Sequence, residues 1–100
     1  MNKIPAIIGL GKTGISLAKY LSKSNNTLFI YESSLNSQSL KELKGIDIDF
    51  VLNPELSDNI FNSISVIYPS PGISKDHEIF KYAKDFNIPV QTDMDIYLNN

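Results

Sequence analysis

Ala6-Ile7-Ile8-Gly9-Leu10-Gly11-Lys12-Thr13-Gly14-Ile15-Ser16 is the stretch that decides the fold. Three apolar residues run into a glycine, as a short buried strand does. From Thr13 to Ser22, Ile15, Leu17, Ala18 and Leu21 fall at helical spacing. Between strand and helix, Gly9, Gly11 and Gly14 fit G-x-G-x-x-G, and that context gives the pattern its meaning. Glycines let the chain turn tightly and let backbone N–H groups approach a diphosphate, while the helix N-terminus adds a favourable dipole. Lys12 adds a charge and Thr13 a hydroxyl. The bland alternative is a tight turn that binds nothing; the strand–turn–helix context favours a phosphate site. Gly11-Lys12-Thr13 also looks like the end of a Walker A loop, but that loop needs a glycine where Ala6 stands. An ATP site is not expected here, and no acid is placed to hold magnesium.

Outward from this stretch, strands and helices alternate. Asn25-Asn26 ends the first helix, and Thr27-Leu28-Phe29-Ile30-Tyr31 reads as a second strand ending at Glu32. Ser33 to Ser39 reads as a loop, Leu40 to Leu43 as a helical turn stopped by Gly45, and Ile46 to Val51 as a third strand. Asn53-Pro54 reads as a helix start, with Asn as cap and Pro at the first position. Ser65 to Tyr68 is a fourth strand, Asp76 to Phe86 a helix, Ile88 to Gln91 a fifth strand, and Asp93 to Leu98 the start of a last helix. Strands alternating with helices imply parallel pairing and right-handed crossovers. The expected fold is one Rossmann-like three-layer α/β domain over residues 1–100, with a five-stranded parallel sheet in the order 3-2-1-4-5.

Ligands on such sheets sit beyond the carboxyl ends of the strands, where the strand order switches. Three loops meet that description: Gly9–Gly14, Glu32–Ser34 and Ser70–Ile73. Glu32 follows Gly14 by 18 residues, and an acid there accepts hydrogen bonds from ribose hydroxyls or from a uracil N3–H. Ser33 and Ser34 follow as small donors. In Ser70-Pro71-Gly72-Ile73, Pro69 and Pro71 fix the backbone and Gly72 permits close approach, although a plain rigid turn explains the same residues. His77 reads as a helix-capping residue, and Asp93 and Asp95 as helix-dipole partners.

Composition excludes much else. The chain has 100 residues, 42% hydrophobic and 20% charged, with no cysteine and one histidine. Disulfide scaffolds, thiolate metal sites, thiol catalysis and multi-histidine metal sites are therefore out. All nine basic residues are lysines, against eleven acids, for a net charge of −2. That is not the basic, arginine-bearing footprint of a nucleic-acid binder. No apolar run approaches the roughly 20 residues of a membrane span, and the N-terminus lacks a signal-peptide pattern. The expectation is a cytoplasmic domain without nucleic-acid or membrane partners. No base–nucleophile pair with an orienting third group is present, so catalysis by this chain alone is not expected.

The loop Gly9 to Ser16, the turn Ser70-Pro71-Gly72-Ile73 with His77 four residues on, and the tail Ile88-Pro89-Val90-Gln91-Thr92-Asp93-Met94-Asp95 together resemble the N-terminal domain of the Mur ligase family, in its MurD branch. The resemblance covers essentially the whole chain. It implies a bacterial, cytoplasmic, three-domain enzyme of peptidoglycan synthesis. Such an enzyme uses ATP and magnesium to activate the carboxylate of UDP-MurNAc-L-alanine as an acyl phosphate, which the amine of D-glutamate attacks. The N-terminal domain holds the UDP part. The resemblance places Gly11, Lys12, Thr13 and Gly14 at the diphosphate, and Glu32, Ser33 and Ser34 at the uracil and ribose. It likewise implies that Ser70, Pro71 and Gly72 line the pocket beside diphosphate and sugar. The family often has Asp where Glu32 stands and a basic residue near Ser34, so this sequence departs at both places. The resemblance puts the central ATPase and C-terminal domains outside these residues, so no cofactor is expected in this chain and its partners are those domains. The competing readings are an NAD-binding Rossmann regulatory module, which the glycine loop and Glu32 also suit, and an interaction domain without a small ligand.

Overall fold

Ala6, Ile7 and Ile8 are buried because their strand is the middle of a sheet covered on both sides. The computed structural model describes residues 3–92. In chain order the elements are β1 (Ile4–Ile8), α1 (Lys12–Leu21), β2 (Thr27–Tyr31), α2 (Ser37–Lys44), β3 (Asp49–Leu52), α3 (Asp58–Phe61), β4 (Ile64–Pro69) and α4 (Glu78–Asp85). The sheet is parallel throughout, in the order β3-β2-β1-β4. Alternation along each strand divides the core in two. Ile7, Leu28, Ile30 and Tyr68 meet Ile15, Leu17, Ala18 and Leu21 of α1 and Leu43 of α2. On the other face Ala6, Ile8, Phe29, Ile64 and Ile67 meet Phe61 of α3 and Ile79 and Ala83 of α4. There Phe61 stacks on Tyr82 at 4.3 Å between ring centroids.

The register of β1 against β4 slips by one residue, from Ile4↔Ile64 to Ala6↔Ile67. This bulge lets Ile64 and Ile67, an odd number of residues apart, pack on the same face.

The expected five-stranded sheet is corrected to four strands. Ile88-Pro89-Val90-Gln91 forms only one parallel bridge, Ile67↔Val90, on the outer edge of β4. It lies where the fifth strand belonged, held by Ile67 N–H to Pro89 O and Gln91 N–H to Ile67 O, both 2.9 Å. Pro89 has no N–H to extend the ladder. Two other expectations shift. β3 begins at Asp49 rather than Ile46, because Ile46 and Ile48 anchor the preceding turn to the core. The helix expected at Asn53-Pro54 starts instead at Asp58, capped by the Ser57 hydroxyl, which accepts from Ile60 N–H. The helix expected over Asp93–Leu98 lies outside the described residues.

Candidate functional site

The three glycines of the first turn do three different things. Gly9 has φ +86°, the left-handed region, and a Cβ there would sit 2.5 Å from Ser70 Oγ. Gly14 is buried in α1, and its Cβ would meet the Gly9 carbonyl oxygen at 2.7 Å, so it sets how closely the helix approaches β1. Gly11 borders open space, with nothing within 4 Å of a Cβ. Gly9 thus serves the turn and Gly14 the packing of the helix on β1, while the backbone at Gly11 is left open.

Gly11 is also the N-cap of α1, and no side chain caps the helix. No acidic residue stands in its first turn. The N–H groups of Lys12, Thr13 and Gly14 precede the first helical hydrogen bond, Ile15 N–H to Gly11 O at 3.0 Å. They are the orphan donors of a helix start, with the positive end of its dipole behind them. Lys12 is exposed and Thr13 half-buried.

β-sheet pairing brings the other two loops to this turn. Gly9 N–H donates to Tyr31 O and Ser70 N–H to Ile8 O, each at 2.8 Å. Ser70-Pro71-Gly72-Ile73 closes a β-turn through Ile73 N–H to Ser70 O at 3.1 Å. Gly72, like Gly11, faces open space. At the end of β2, Glu32 is half-buried and already engaged. Its Oε1 accepts from Leu10 N–H at 2.8 Å and its Oε2 from Ser34 N–H at 3.2 Å. The carboxylate therefore clasps the glycine loop to the β2 end. Each oxygen keeps lone-pair capacity for a further donor.

A cleft of about 350 Å³ opens at this edge, its lining including Ile8, Gly9, Tyr31, Glu32, Ser33, Asn53, Ile73 and His77. Of the ten nucleotide-contact residues expected from the sequence, Glu32 and Ser33 line it, whereas Gly11, Lys12, Thr13, Gly14, Ser34, Ser70, Pro71 and Gly72 do not. Ser70 abuts Gly9, and Gly11 and Gly72 present open backbone. Pro71 and Ser34 are exposed. A larger depression of about 690 Å³ lies by α2 and β3, lined by none of the three loops. The smaller cleft is the one that borders the strand ends at Gly9 and Glu32, while the N-terminus of α1 at Gly11–Gly14 lies outside its lining. His77 is a cap as expected: its Nδ1 accepts from Ile79 N–H at 3.1 Å at the start of α4.

Among the lining residues to which sequence reading gave no site role are Asn53 and Tyr31. Asn53, expected as a helix cap, has φ 48° and turns its amide to the backbone of Glu32. The signal was available in the topology, since β3 is parallel to β2 and ends at the same edge. Tyr31 closes β2, and its hydroxyl is buried without a hydrogen-bond partner. Burial pushes that phenol up from 10.0 to about 12.

Ala6 stands where a Walker A loop needs glycine, and among the described residues no group of three His, Asp or Glu is gathered to hold a metal. Among the same residues no helix is long and apolar enough to cross a membrane.

Comparison with known proteins agrees with this geometry. Residues 3–92 match the family model described as Mur ligase MurD-like, N-terminal domain. The chain is 38% identical over 92 residues to the UDP-N-acetylmuramoylalanine–D-glutamate ligase of Rickettsia prowazekii (strain Madrid E), covering 91% of this chain and 20% of that protein. It is 34% identical over 91 residues to the ligase of the same name from Rickettsia bellii (strain RML369-C), covering 91% of this chain and 19% of that protein. For the ligase from Hahella chejuensis (strain KCTC 2396) the identity is 30% over 93 residues, with 92% and 21% covered. The chain thus spans about a fifth of the length of the relatives it matches. With its glycine turn, its Ser-Pro-Gly-Ile turn and its parallel sheet, this chain belongs to the MurD-like N-terminal domain family of the Mur ligases.

Proposed function

We propose that this domain holds the UDP moiety of UDP-MurNAc-L-alanine for ligation to D-glutamate in bacterial peptidoglycan synthesis. The observation that carries the reading is the meeting of an uncapped helix N-terminus, at the open Gly11, with the Glu32 carboxylate across one glycine turn. The two ends differ in electrostatics. The orphan N–H groups of α1 and Lys12 attract a diphosphate. The Glu32 carboxylate repels phosphate and accepts donors, so the nucleoside end of the ligand faces it: uracil N3–H or ribose hydroxyls, with Ser33 and Ser34 beside. Ser70, Pro71 and Gly72 border the diphosphate and sugar. ATP, magnesium and the acyl-transfer chemistry belong to the central and C-terminal domains of the same enzyme, outside these residues. The role of this domain is to bind and orient in the cytoplasm, and alone it is inactive.

An NMR titration of the chain with UDP-MurNAc-L-alanine, with NAD as control, tests the reading. Shifts at Gly9–Gly14, Glu32–Ser34 and Ser70–Ile73 with the UDP ligand alone are expected. Shifts with NAD alone assign the cleft to a nicotinamide dinucleotide instead.

A further inference from the structure

Paired backbone between β2 and β3 runs to Ile30↔Leu52. The next link is Asn53 N–H donating to Ile30 O at 2.6 Å. Asn53 then turns into the left-handed region at φ 48°, and the chain leaves the sheet through the buried Pro54. Its side chain takes over where the backbone leaves. Asn53 Oδ1 accepts from Glu32 N–H at 2.8 Å, and Asn53 Nδ2 donates to Glu32 O at 3.0 Å. A carboxamide carries an acceptor and donors in one plane, as a peptide group does. Glu32, the first residue past β2, is thereby paired through both its backbone groups by a side chain in place of a strand. From that fixed backbone its carboxylate spans to Leu10 N–H and Ser34 N–H.

We propose that Asn53 is a positioning residue for the nucleotide cleft: it holds the Glu32 backbone, and through it the carboxylate that joins the glycine turn to the β2 end and receives the nucleoside. The proposal rests on the nucleotide reading above. The residue type is matched to the task. Asn tolerates the left-handed region better than most L residues, and it alone at that length offers both an acceptor and a donor. Asp keeps the acceptor for Glu32 N–H but sets a carboxylate oxygen against Glu32 C=O. Gly allows the same backbone conformation and removes the amide together with the Cβ.

The test uses Asn53→Gly and Asn53→Asp, each alone and combined with Glu32→Gln. In the free protein, Asn53→Gly is expected to move the Leu10 and Ser34 amide proton resonances, while those of Ile7 and Leu28 inside the sheet stay in place. Affinity for UDP-MurNAc-L-alanine is expected to fall about tenfold, the scale of one or two lost hydrogen bonds. Asn53→Asp falls between Gly and wild type, as partial rescue. On the Glu32→Gln background Asn53→Gly adds little further loss, because the two act as one unit. Unmoved Leu10 and Ser34 amides overturn the proposal, as does unchanged affinity or full additivity with Glu32→Gln. Those failures occur with the wild type still binding the ligand. A wild type that binds no UDP ligand overturns the nucleotide reading and this proposal with it.

Discussion

At Gly11 a Cβ meets open space, whereas at Gly14 it meets the Gly9 carbonyl oxygen at 2.7 Å. Two glycines three residues apart therefore predict opposite outcomes. Gly11→Val is expected to keep the fold at a cost of about 1 kcal/mol in urea unfolding, the scale of a poorer N-cap, and to abolish binding of UDP-MurNAc-L-alanine by filling the approach to the α1 N-terminus. Gly14→Ala is expected to cost about 1–3 kcal/mol, because backbone on both sides leaves nothing flexible to give way. Unchanged binding in Gly11→Val would remove Gly11 from the ligand approach. Tyr31 supplies a third prediction. Its hydroxyl is buried without a partner and its pKa is raised to about 12. Folding favours the protonated phenol, so its contribution to stability is fully present below pH 10 and is lost as pH rises from 10 to about 12. Tyr31→Phe removes an unsatisfied buried group. The variant is expected to be at least as stable as wild type at pH 7 and to lose less stability between pH 10 and 12.

Elements that announce themselves locally were legible in the sequence. β2 spans Thr27–Tyr31 as its apolar run implies, and α1 follows the spacing of Ile15, Leu17, Ala18 and Leu21. α2 was only half legible, because Ser37-Gln38-Ser39 carries no apolar period. Its first turn is secured by Asn36, whose Oδ1 accepts from Ser39 N–H at 2.8 Å. The alternation Ile46-Asp47-Ile48-Asp49 imitates a strand, yet only from Asp49 does the backbone find β2 to pair with. Asn53 failed as a cap for a deeper reason: its partners, the backbone groups of Glu32, lie 21 residues away. His77 was legible as a cap because helix starts obey local rules. His77→Ala is expected to cost about 1 kcal/mol, while Asp at this position restores an acceptor for Ile79 N–H and most of the loss. Urea midpoints for the two variants check this, and equal destabilisation would place the effect of His77 in the cleft lining rather than at the cap.

For the molecule as a whole, a ligand that binds only the folded state stabilises it by mass action. At a hundred times the dissociation constant the gain is about 2.7 kcal/mol. For a domain of this size that corresponds to a melting temperature raised by roughly 10–20 °C. The shift is expected with UDP-MurNAc-L-alanine, and is expected to be absent in Gly11→Val. Scanning calorimetry of wild type and variant, with and without ligand, reads both. The sheet order was legible in outline because alternating strands and helices admit few handed arrangements. The extent of the last pairing was not, since it depends on how far backbone around Pro89 can follow the edge of β4.

β1 lies between β2 and β4, and its partners come from very different distances along the chain. Residues 27–31 are made soon after β1, but Ile64–Pro69 come much later. During synthesis β1 and β2 emerge well before β4, and until β4 arrives Ala6 and Ile8 lack the partners that cover them on that side. Only when the later half arrives does Ser70 tie to Ile8 and close around Gly9. The cleft lined by Glu32, Asn53, Ile73 and His77 is therefore among the last parts of the domain to be completed during synthesis, and a chain stalled before β4 carries the glycine turn without it.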